Sequence, residues 1–277
     1  MTEVEQKKGL FGLAKGFPTI LGTEFAERFS YYGMKAVLLY YMINTTAQGG
    51  LGLPRADGVA ISALYGALIY MSTIVGGWLS DRVFGAARIV TIGGFFILAG
   101  HIVLALPFGE PALLASLALL IIGTGMLKPN VSTLVGSVVK DDKDANVAFS
   151  LFYVAINLGS FISPIVVSAL QIKYGFHVAF SAAAVVMGLG LAIYVWGYAR
   201  FLRHHLDVLA PNPIAKTERK KVTLTIVSII VIIVFGFWLS IMTHTFSIGA
   251  LSKVVTVAAV VLTGYYFTHI LTSKLVT

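Results

Sequence analysis

Between Thr23 and Lys35 the chain reads Thr-Glu-Phe-Ala-Glu-Arg-Phe-Ser-Tyr-Tyr-Gly-Met-Lys, inside a stretch from about Phe17 to Met42 that is otherwise apolar. That stretch is long enough to cross a bilayer as a helix. An ionisable side chain at the bilayer centre costs about 2.5–3.5 kcal/mol on insertion scales, so four of them call for a reason. At helical spacing Glu24, Glu27, Arg28, Tyr31 and Lys35 fall within an arc of ~100°, with Tyr32 at its edge, and the stripe climbs about 16 Å. Such a face must look into a protein-lined cavity. In that setting a lone carboxylate tends to hold its proton and a neighbouring cation favours the ionised form. Two acids beside one arginine can therefore exchange a proton as the cavity changes. The plainer reading is a static salt bridge that locks packing, but two acids to one arginine leave an acid in excess.

Other residues carry complementary chemistry. Lys128, in the middle of a fourth apolar helix within Gly123-Thr124-Gly125-Met126-Leu127-Lys128-Pro129-Asn130, needs a partner at that depth, and the excess carboxylate of the first helix is the natural one. Pro129 removes a backbone donor and invites a kink. Tyr31, Tyr32, Tyr65 and Tyr70 offer flat apolar faces with one hydroxyl each, which suits a pocket for varied apolar groups. Tyr40 and Tyr41 read as membrane-interface residues. Asn157, midway along a fifth helix, could bond a substrate amide or join two helices. Gly76, Gly77, Asp81, Arg82 and Gly85 lie in a run that ends the second helix, and Asp81 there could cap or bridge and steady a gate.

The elements that position these residues are helices throughout. The 277 residues are 57% hydrophobic and 12% charged, against about 25% charged in soluble domains. With no cysteine there is neither disulfide nor thiol chemistry. The N-terminal segment shows no removable signal peptide. Apolar spans predict helices near 17–43, 58–80, 88–106, 112–138, 146–170, 177–201, 222–243 and 251–272. Of the 20 Lys and Arg, three (Arg28, Lys35 and Lys128) lie in the interior of these spans rather than at their edges. Arg55, Lys173 and Lys253 fall on one side and the remaining 14 on the other, which predicts a multi-pass protein of the cell membrane, bacterial inner membrane by type, with both termini cytoplasmic. The net charge of +8 thus reports topology, not nucleic-acid binding. Residues 1–201 form a six-helix bundle, 202–221 a basic cytoplasmic linker with Pro211 and Pro213, and 222–277 two further helices, apolar all round and so expected to face lipid. Gly76-Gly77-Trp78-Leu79-Ser80-Asp81 and Gly159-Ser160-Phe161-Ile162-Ser163-Pro164 are a faint sign of a three-plus-three inverted repeat. No nucleophile–base set, phosphate loop or metal cluster points to an enzyme, and no cofactor is expected beyond the proton as coupling ion.

Three runs together resemble the proton-dependent oligopeptide transporter family of the major facilitator superfamily: Glu-x-x-Glu-Arg-Phe-x-Tyr-Tyr-Gly from Glu24 to Gly33, Gly-Gly-x-x-x-Asp-x-x-x-Gly from Gly76 to Gly85, and Phe-Tyr-x-x-x-Asn-x-Gly from Phe152 to Gly159. The resemblance implies an all-α major-facilitator N-terminal bundle with two extra transmembrane helices, and import of di- and tripeptides with protons by alternating access. It assigns Glu24, Glu27, Arg28 and Lys128 to proton coupling, and Tyr31, Tyr32, Lys35, Tyr70, Lys128 and Asn157 to the peptide site. Lys35 stands where the family often has arginine, which keeps the charge but loses the bidentate fork. Some members carry nitrate or other small acids instead. By the same resemblance a second six-helix bundle should complete the cavity, so the chain is expected to be a truncated, transport-incompetent portion. The alternative is a half-size membrane subunit or interaction module.

Overall fold

The computed structural model describes residues 13–139 and 142–203, together with the single positions 214, 215, 218, 221, 224 and 228. Of the expected helix over 222–243 only positions 224 and 228 are described, and the one over 251–272 lies outside the described residues. Six long helices are present among those described: α1 Phe17–Ile43, α2 Arg55–Leu79, α3 Ala86–Ala105, α4 Gly109–Ser137, α5 Asp142–Tyr174 and α6 Phe176–Gly197. Five of them, α2 to α6, are long and apolar enough to cross a membrane. In α1, every 18-residue window holds at least three of Glu24, Glu27, Arg28 and Lys35, so its place among the spans rests on packing: α5, α6 and α2 cover it.

The expected spans match the helices with shifts at the ends. The largest is α5, which runs 142–174 instead of 146–170. Asp142 and Asp144 favour the helix start and Lys173 the last turn, through the helix dipole, so polar turns extend the helix past its apolar segment. The α2 helix closes in a π turn, Ser80–Phe84, whose Gly85 N–H donates to the Ser80 carbonyl at 2.9 Å. Gly85 then turns the chain at φ +78°, a conformation that suits glycine. At the opposite end a tight loop joins α1 to α2, with Leu51 and Leu53 N–H donating to the Tyr41 and Met42 carbonyls, both at 2.8 Å.

The helix contacts follow a two-fold scheme. The main pairs are α3 with α4 and α6 with α1, α2 with α4 and α5 with α1, and α3 with α6. Exchanging α1, α2, α3 for α4, α5, α6 maps this set onto itself, so the faint repeat in the sequence corresponds to real packing. The two glycine runs sit at equivalent contacts. A Cβ on Gly76 would strike the Gly125 backbone of α4, and one on Gly159 would lie 2.8 Å from the Phe25 carbonyl oxygen of α1. Small residues thus let backbones touch where no water drives association. Two α2–α4 polar bridges reinforce the first contact. Ser72 Oγ donates to the Ile121 carbonyl at 2.9 Å, and Asn130 Nδ2 to the carbonyls of Met126 at 2.7 Å and Gly76 at 3.3 Å.

Tyr41 departs from expectation. It is buried, not interfacial, and its ring lies against Phe176 and Phe180 at 5.4 and 5.2 Å. It faces inward because α6 begins beside the α1–α2 loop and covers it, while Tyr40, one position along, is exposed.

Gly76→Val and Gly159→Val should each destabilise the purified protein by about 1–3 kcal/mol, since backbone atoms cannot yield to the new side chain. Gly66→Ala, where a Cβ meets nothing within 4 Å, should be neutral or slightly stabilising. Thermal midpoints in detergent check the contrast.

Candidate functional site

Glu24, Glu27 and Arg28 are all buried on the inner side of α1. Arg28 Nε lies 3.0 Å from Glu24 Oε1 and 2.5 Å from Glu27 Oε2. A single guanidinium therefore answers two carboxylates, and Glu27 Oε1 is left without a hydrogen-bond partner among the described residues. Gly159 makes this possible from the other side. A Cβ there would come within 3.0 Å of the Arg28 Cβ, so α5 closes over the cluster only because the position is bare.

One turn further along α1 the ladder becomes aromatic. The Tyr31 ring has the Arg28 guanidinium carbon 5.9 Å from its centroid and Lys35 Nζ 5.6 Å from it. Tyr32 meets Tyr31 edge-on at 5.0 Å. Lys35 is exposed, and its Nζ donates to the Tyr31 hydroxyl at 3.5 Å. The stripe read from the sequence is thus a continuous chain of contacts from a buried acid pair to an exposed ammonium.

The expected ion pair between Lys128 and an acid of α1 does not form. Lys128 Nζ instead lies over the Tyr70 ring at 4.9 Å, joining α4 to α2. Arg28 stands adjacent to Glu27 and one turn from Glu24, so it reaches both first, whereas Lys128 must approach from another helix. Its charge still acts on Glu24. Nor is Lys128 central in its helix: it stands nine residues before Ser137 and nineteen after Gly109. Tyr70 is 67% exposed, with its phenol on the open side of the bundle.

Asn157 is also exposed, and its Nδ2 donates to the Tyr153 carbonyl of its own helix at 2.8 Å. Among the described residues it bonds no second helix. Asp81 and Arg82 are exposed on the π turn, and Asp81 makes no ion pair among the described residues. Gly77 lies in open space beside Gly76. The Arg82 carbonyl accepts a hydrogen bond from the Ile214 N–H at 3.2 Å, so the chain beyond the bundle returns to this corner.

Pro129 acts through its neighbour. It removes the hydrogen bond that the Gly125 carbonyl would accept, and that carbonyl faces Gly76. Asn130 then pins the altered turn to α2. Asn130 was not singled out from the sequence, although a Pro-Asn pair within an apolar helix was the available signal. Tyr65, grouped with the pocket tyrosines, is instead buried behind Tyr31, with ring centroids 6.4 Å apart.

The family model described as "PTR2: POT family" matches residues 87–277, more than half of the chain. The chain belongs to the POT family. Among curated relatives, the uncharacterized transporter YclF of Bacillus subtilis (strain 168) is 44% identical over 274 residues, covering 97% of this chain and 54% of its own length. The di-/tripeptide transporter of Lactococcus lactis subsp. lactis (strain IL1403) is 41% identical over the same extent. The crystal structure of a peptide transporter POT in complex with sulfate superposes with a TM-score of 0.88 at 44% identity, over 96% of this chain and 54% of that one. A second POT family transporter, in complex with a thioalcohol-conjugated peptide, gives 0.87 at 39% identity, over 98% and 55%. The chain spans about half the length of the curated relatives it matches. The fold is therefore that of a multi-pass, all-helical POT protein.

The charge geometry makes a direct prediction. Arg28→Met should cost about 3–5 kcal/mol, because it leaves buried carboxylates without their cation. Adding Glu24→Gln and Glu27→Gln to that variant should recover most of the loss. Thermal midpoints of the three proteins test this, and an Arg28→Met protein as stable as the parent would contradict the ion-pair account.

Proposed function

We propose that this chain supplies one wall of a proton-coupled symporter that imports di- and tripeptides by alternating access. The observation that carries the reading is the buried Glu24–Arg28–Glu27 cluster, continuous through Tyr31 with the exposed Lys35. The relatives named as di-/tripeptide transporters support the choice of cargo. No cofactor is needed, since the coupling ion is the proton.

The charges explain how proton and cargo are linked. Glu24, Glu27, Arg28 and Lys128 sum to zero when all are ionised. A proton bound by one acid leaves an unmatched positive charge, and Lys128 is the cation of the set without a carboxylate against it. A zwitterionic peptide brings a carboxylate that restores the balance. Lys35 adds a second cation at the open face, held as a point charge by the Tyr31 ring. Tyr31, Tyr32 and Tyr70 offer apolar faces to side chains of differing size. When the carboxylate leaves, the proton has reason to leave too, which is the thermodynamic content of symport.

In the whole protein a second bundle opposes this face, and rocking of the two bodies exposes the site alternately. The described bundle, residues 13–203, acts as one body in that motion. The Gly76–Gly85 corner, with Asp81, Arg82 and Pro129, steadies the cytoplasmic gate. The charge bias of the loops supports an inner-membrane orientation with the N-terminus cytoplasmic.

Uptake of a labelled dipeptide into liposomes, by the protein expressed from its full reading frame, should collapse without a proton gradient and in Glu27→Gln. Unlabelled dialanine should compete and nitrate should not. Uptake indifferent to the gradient would overturn the coupling, and competition by nitrate alone would overturn the cargo.

A further inference from the structure

Tyr65 is a buried phenol, 2% exposed, whose hydroxyl has no hydrogen-bond partner among the described residues. A desolvated and unpaired polar group costs about 1–3 kcal/mol, which a phenylalanine of the same shape would avoid. The hydroxyl lies in the electrostatic reach of Glu27, Arg28 and Tyr31. Its ring packs at 6.4 Å against Tyr31, the residue one turn beyond Glu27 on α1. Glu27 Oε1 is likewise buried and unpartnered. Two orphaned, complementary groups thus face the same α1–α2 interior, one from each helix.

We infer that Tyr65 is a positioning residue for Glu27, its hydroxyl engaging the carboxyl through one bridging water. The chemistry of the pair fits a group that changes protonation state. Arg28 can only donate, so it serves the Glu27 carboxylate but cannot accept the O–H of the neutral acid. A phenol donates to the carboxylate and accepts from the acid. Tyr65 can therefore keep Glu27 bonded on both sides of the proton transfer. The proton moves between Glu27 and water and no other bond changes. The charged and titratable groups around Glu27 are Glu24, Arg28 and Tyr31 on its own helix and Tyr65 on α2, with Lys128 of α4 acting on Glu24. Tyr65 lies outside the three motifs that carry the family resemblance.

The role in transport rests on the proton-coupled reading above, but the bond itself does not, and the test separates them. Infrared difference spectra between acidic and alkaline pH would be recorded on the protein from its full reading frame. The Glu27 carboxyl stretch is assigned as the band that Glu27→Gln removes. Tyr65→Phe should move this band to higher frequency, as expected when a hydrogen bond to a carboxyl is lost. In liposomes the same variant should slow proton-driven dipeptide uptake about fivefold, the worth of one net hydrogen bond. Its KM for dipeptide and its rate of gradient-free peptide exchange should be unchanged. A Glu27 band that stays in place in Tyr65→Phe overturns the inference. If the band shifts but uptake in the unaltered protein ignores the proton gradient, the Tyr65–Glu27 bond stands and the symport reading alone falls.

Discussion

Two carboxylates and one guanidinium share a buried site on a helix that must lie within a bilayer. Nothing in hydrocarbon could solvate them, so the protein must surround them. This accounts for the position of α1. Too charged to stand alone as a span, it is packed by α5, α6 and α2, with the cluster turned inward and Lys35 at the open side. The same constraint explains Gly159. A helix can close over a buried arginine only where it lacks a side chain of its own. The surplus negative charge, which one arginine cannot cancel, makes the arrangement sensitive to protons and to other cations nearby.

The second half of the bundle repeats the solution without the charges. Gly76 meets Gly125 as Gly159 meets Phe25, and α2 lies on α4 as α5 lies on α1. At the α2–α4 contact the polar work is done by Ser72 and Asn130, which bond carbonyls of the opposing helix or of the turn that Pro129 disturbs. The inverted repeat thus provides two similar joints, one neutral and one bearing the acid pair. Lys128 and Tyr70 lie beside the neutral joint and place a cation at the open face.

The helices were legible in the sequence because apolar spans of bilayer length have few alternatives, and the inward stripe of α1 because helical spacing is regular. Tyr31 and Lys35 fell where that spacing put them. Pairing between helices was not legible. The excess acid and Lys128 were natural partners by charge alone, but proximity on one helix gave both acids to Arg28. Tyr41 and Tyr65 illustrate the same limit. Their residue type suggested an interface and a pocket, while their burial depends on which neighbouring helix covers them. Asn157 shows the converse, since its exposure and its bond within α5 narrowed a choice that chemistry had left open.

The central claim is that the acid pair ties one proton to the movement of cargo. Coupling of this kind must run in both directions. Liposomes containing the protein from its full reading frame, with a pH-sensitive dye inside and no pH gradient, should acidify internally when dialanine is added outside. The account predicts acidification in the unaltered protein and none in the Glu24→Gln, Glu27→Gln double variant. Equal acidification by the double variant would contradict it.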